Sequence, residues 1–148
     1  MNIRYALDSQ AKVPLKWNTW VKIGLKTALA SVAAVLAVQF IALAIWPEIA
    51  AFGPLDNYLR SALFTLIPAM IATGLFAWLV KSREKPVSTF IKISVVVLVL
   101  SLIPDYAINH PAKTFLASSV AALMHLTAGV VTVVMIVSGY RKETKAGI

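Results

Sequence analysis

Two ionisable side chains stand out because each lies inside an apolar stretch: Asp105 in LSLIPDYAI and His125 in AALMHLTAGVV. An imidazole changes charge near neutral pH, so it can relay a proton, contact a ligand, or bind a metal or haem iron. It can equally stay neutral, bonded to a hydroxyl or a backbone carbonyl of a neighbouring helix, because histidine is readily buried uncharged. Asp105 follows Pro104, which removes one backbone hydrogen bond and ends or kinks a helix. The carboxylate therefore reads either as a cap facing outer water or as an acidic group at the mouth of a cavity leading to His125.

Spacing puts both residues on polar stripes. Ser118, Ala122, His125, Gly129 and Thr132 follow at helical steps on one face, and Ser94, Leu98, Ser101 and Asp105 do the same on the preceding apolar stretch. Small residues such as Ala122 and Gly129 let a neighbouring helix approach, and hydroxyls can bond across the contact. Folding the two stretches together about Asn109–Pro111 sets Leu98 level with His125 and Asp105 level with Ser118. That register places Asp105 about two turns, roughly 10 Å, from His125. It predicts no direct pair, leaving a water or Ser101 to bridge them, and it makes these two helices the closest-packed pair.

Other chemistries are poorly served. Cysteine is absent, which removes disulfides, thiolate metal sites and thiol nucleophiles. There is no HExxH, P-loop or glycine-rich nucleotide fingerprint, and no serine lies in a nucleophile-elbow context. His110 falls in a loop, so a haem held by two histidines of one chain is not expected. The sequence reads as a non-enzyme with no metal or cofactor. Pro68 is a candidate hinge, with Thr65, Ala69 and Ala72 on a small-residue face beside it. Gln39 is expected to hydrogen-bond between helices, with Ser31 near the same side, and Lys26 to snorkel to a membrane boundary.

The elements that carry these residues follow from composition. Hydrophobic residues make up 59% of the 148 and charged residues 14%, against about 45–50% and 25% in a soluble domain. A chain this short could not hide that surface from water. An apolar core of about 30 Å needs about 20 helical residues, and four stretches supply them: 27–46, 61–80, 87–108 and 115–140. The fold class expected is all-α, a four-transmembrane-helix antiparallel bundle. Residues 1–22 form an interfacial segment, 23–140 the membrane domain and 141–148 a basic tail. The connection 47–60 has room for a short surface helix.

Orientation follows from Lys and Arg beside the spans. Twelve of the fourteen lie before the first span, around the second connection or after the fourth; Arg60 and Lys113 are the other two. Both termini are thus expected in the cytoplasm of a cell bearing the protein in its plasma membrane. Trp17, Trp20, Trp78 and Tyr140 fall at the inner boundary, and Trp46, Tyr58 and Tyr106 at the outer one, as an aromatic belt requires; Tyr5 lies away from both. The net charge of +8 sits at span ends rather than in a recognition patch, so nucleic acid is not the expected partner.

The stretches Leu100–Ile108 and Ala121–Val131, with Ser101, Pro104, Met124 and His125 as their distinctive residues, resemble a family of small bacterial four-helix membrane proteins known only as a domain of unknown function. The likeness runs from Lys26 to Lys142 and implies a fold and a bacterial cytoplasmic membrane, but no activity. The residues support a non-enzymatic membrane scaffold or accessory subunit, with the lipid bilayer and a homo-oligomer or larger membrane complex as partners. The alternative is a small carrier or channel, proton-linked or not, using a polar path between the third and fourth spans.

Overall fold

A computed structural model describes residues 14–146. Tyr5, Arg4, Lys12 and most of the expected interfacial segment lie outside the described residues. Four helices follow in order: α1 (Trp17–Ile45), α2 (Tyr58–Ser82), α3 (Pro86–Ala107) and α4 (Phe115–Ala146). No strand occurs among the described residues. All four helices are long and apolar enough to cross a membrane.

The ends of these helices are written locally. α2 starts where Asn57 Oδ1 accepts the Arg60 backbone N–H at 3.1 Å, relieving one of the donors a helix start leaves unpaired. α3 starts on Pro86, whose missing N–H is no loss at a first helical position, and only 83–85 separate it from α2 in a tight hairpin. α4 starts behind Thr114, whose Oγ1 accepts from the Ala117 N–H at 3.1 Å. α4 continues through the basic residues expected as a tail, ending at Ala146. The connection after α1, where the sequence leaves room for a short helix, holds two short 3-10 helices, Pro47–Ala51 and Gly53–Leu55, with Ile49, Phe52 and Leu55 turned inward.

The centre of the bundle is α1. Its most extensive contacts are with α2 and with α4, while α3 lies mainly against α4. The expectation that α3 and α4 pack closest is therefore overturned. The physical reason lies in α1, where Gly24, Ala28, Ser31, Val35, Gln39 and Ala42 recur at steps of three and four and are all buried. A Cβ on Gly24 would lie 3.3 Å from Met70 Cε and Thr73 Cγ2, so side chains of α2 pack there directly on the α1 backbone. On its other flank Ser31 Oγ lies 3.0 Å from Thr132 Oγ1 of α4, both buried.

Two apolar clusters close the ends. At the hairpin end, the Trp20 and Tyr140 rings stack at 5.8 Å, and Phe76 meets both edge-on and Phe90 tilted at 4.9 Å. Trp20 and Tyr140 are thus core residues rather than boundary anchors; Trp17, Trp46, Trp78, Tyr58 and Tyr106 remain exposed, as a belt needs. At the loop end, Ile49, Phe52 and Leu55 fold back over Ala42, Ala117 and Val120. Gln39 fixes this cap: its Nε2 donates to the Leu55 carbonyl at 3.1 Å. It ties a helix to the connection, not to another helix.

Pro68 lies exposed within an uninterrupted α2, with Thr65 and Ala69 buried beside it. Lys26 and Lys92 are both exposed.

Close approach at Gly24 is testable. Gly24→Leu should lower stability in SDS-titrated mixed micelles by about 1–3 kcal/mol, the usual penalty for overpacking. Gly74→Leu, where an added Cβ meets nothing within 4 Å, should be near neutral. Equal effects at both sites would contradict the α1–α2 contact.

Candidate functional site between α3 and α4

The two ionisable residues singled out by the sequence meet directly. His125 Nδ1 lies 3.0 Å from Asp105 Oδ2. This corrects the expected separation of two turns. The reason is register: Leu98 faces Gly129, where an added Cβ would lie 3.3 Å from Leu98 Cδ1, one turn beyond the level expected. The shift arises within the helix pair, since the connection 108–114 is only one residue longer than the spans predict.

That connection is braced from within. His110 Nδ1 accepts the Ala112 N–H at 3.1 Å, and Lys113 Nζ donates to the Tyr106 carbonyl at 3.2 Å. The His110 ring meets Phe52 of the first loop edge-on at 5.8 Å, joining the two loop-end connections.

Asp105 is buried, at 4% exposure, which overturns the reading of a cap facing water. It lies on the inward side of α3's last turns, and the helix passes Pro104 without ending, to Ala107. His125 keeps 43% of its side chain exposed beside it. Its Nδ1 also lies 3.0 Å from the Ala121 carbonyl one turn back. A carbonyl only accepts, so that bond requires a proton on Nδ1. The same N–H cannot point squarely at the carbonyl and at the carboxylate. Oδ2 is close to Nδ1 yet has no well-directed donor.

With Nδ1–H directed at the Ala121 carbonyl, the buried Asp105 carboxyl stands beside the imidazole at contact distance, an acidic and a basic side chain side by side between α3 and α4. Among the described residues no third His, Cys, Asp or Glu joins them to form a metal-ligand group.

The rest of the expected seam divides among other partners. Ser101 Oγ donates to the Leu98 carbonyl of its own helix at 2.7 Å, so it does not bridge Asp105 to His125. Ser94 is half-buried on α3 and Ala122 half-buried on α4. Ser118 is buried on α4 beside Ala117 and Ala121. Thr132 belongs to the α1 contact through Ser31, and Gly129 makes a close approach to Leu98 of α3.

A family model described as a family of unknown function (DUF6069) matches residues 16–142. The chain belongs to that family. No curated protein and no solved structure matches it. In this DUF6069 member the matched region takes in all four helices up to Lys142, the Asp105–His125 pair and both apolar clusters.

Sequence reasoning missed the α1 stripe as a functional support. The signal was available in the same form used for α4: small and polar residues at steps of three and four, ending in Gln39.

If the pair is energetically linked, Asp105→Asn and His125→Leu should each destabilise the detergent-solubilised protein. Their double mutant should then fall short of the sum by about 1–2 kcal/mol. Strict additivity in the same unfolding measurement would show that the two side chains are merely adjacent.

Proposed function

We propose that this DUF6069 protein is a non-enzymatic membrane scaffold or accessory subunit. In this reading its four helices form an antiparallel bundle in a cell membrane, with both termini in the cytoplasm. The observation that carries it is the filling of the hairpin end by Trp20, Phe76, Phe90 and Tyr140. A polar path from His125 would have to pass these rings inside the bundle or, between α3 and α4, the apolar side chains of Val87, Ile91, Val133 and Val137. The polar groups of the spans are largely spent on fastening: Ser31 to Thr132, Gln39 to Leu55, and Thr65 and Thr73 to carbonyls of their own helix. Such bonds satisfy hydroxyls where water cannot.

A second reading is favoured by one specific feature. The contact between buried Asp105 and half-exposed His125 suits a proton-linked carrier, completed by a second copy or another subunit against the exposed side of the imidazole. Intramembrane ionisable pairs often mark such paths.

Reconstitution into proteoliposomes with an internal pH dye separates the two. Under an imposed pH gradient the scaffold reading expects the same leak as protein-free vesicles, unchanged in His125→Gln. A flux that His125→Gln abolishes would replace it with the carrier reading.

Orientation can be checked because the chain has no cysteine. Glu48→Cys should react with a membrane-impermeant maleimide on intact cells, and Glu84→Cys only after permeabilisation. The reverse pattern would invert the assignment made from the charge bias.

A further inference from the structure

We infer that the groove between α3 and α4 near the hairpin holds one acyl chain of an anionic glycerophospholipid, with its phosphate paired by Lys142 and Lys145. The groove is open to the outside of the bundle, offers about 550 Å³, and its walls are Val87 and Ile91 of α3 and Val133, Val134 and Val137 of α4. It opens where α3 leans towards α2 through Phe90 and Phe76, below the Leu98–Gly129 contact. In a bilayer such a cleft is filled by hydrocarbon, because apolar walls offer water no partners.

What makes it a site rather than a gap is the change of chemistry along its length. Ser138, Arg141, Lys142 and Lys145 line the same groove beyond the valines. From Val133 to Arg141 the helix rises about 12 Å, so the basic residues stand at headgroup height when the valines stand among the acyl chains. Lys142 and Lys145 are exposed and Arg141 half-buried. Cations clustered at the end of a membrane helix attract anionic headgroups, at about fivefold in affinity for each charge. Neither scaffold nor carrier requires this site; it depends only on the chain spanning a membrane.

The test uses the full chain in neutral detergent, read by native mass spectrometry. Dioleoyl phosphatidylglycerol and dioleoyl phosphatidylcholine are titrated separately, with acyl-free glycerophosphoglycerol as a third probe. The expected result is tighter binding of phosphatidylglycerol than of phosphatidylcholine by about an order of magnitude. Lys142→Gln with Lys145→Gln should bring the two lipids close together. Val134→Trp, at a position 58% exposed and hence free of the core, should weaken both by filling the groove. Equal affinity for the two lipids, or an advantage of phosphatidylglycerol that survives the double lysine variant, would overturn the inference. So would acyl-free glycerophosphoglycerol binding as tightly as the lipid, or Val134→Trp leaving both lipids unaffected.

Discussion

Apolar side chains gain nothing by leaving lipid for one another, so helices in a membrane are held by close fit and by the few polar groups that find each other. In this protein α1 bears most of that requirement. Its stripe from Gly24 to Ala42 is narrow enough for side chains of α2 to pack on its backbone on one flank and for α4 to bond through Thr132 on the other. Residues small enough to permit the approach are also those unable to fill space themselves, so the large rings are displaced to the ends. Trp20, Phe76, Phe90 and Tyr140 fill one end, and Phe52 and Leu55 cap the other. The position of α3 follows: with both flanks of α1 taken, it is left to lie mainly against α4.

The spans were legible because they depend on local composition alone. An uncharged run such as 27–46 is unmistakable, and Pro86 and Asn57 announce helix starts by their own chemistry. Which helix sits at the centre was less legible, since two stripes of similar composition compete and only the fold decides between them. Trp20 and Tyr140 illustrate the same limit. Their positions near span ends fit a lipid boundary, but a ring at the boundary can face inward, and these two stack on each other.

The candidate site was found residue by residue and misplaced by register. His125 and Asp105 were conspicuous as ionisable groups in apolar sequence, a property independent of neighbours. Their separation was not, because it turns on how far α4 slides along α3, which rests on contacts such as Leu98 against Gly129 that no local pattern announces. A slip of one turn between Leu98 and Gly129 brings a carboxylate into contact with an imidazole, instead of leaving the two apart. The pair is thus a property of the register between two helices as much as of the two residues.

The hydrogen bond from Ser31 to Thr132 spans 101 positions of sequence, whereas that from Gln39 to Leu55 spans 16. A ribosome delivers these partners at very different times. The cap over α1 can close as soon as the first loop has emerged, but the other flank of α1 stays open until nearly the whole chain has been made. Between those moments the half-built protein displays a polar, small-residue face to lipid. That face is what a membrane chaperone would shield, and what a quality-control protease would recognise in a chain that never received its fourth helix.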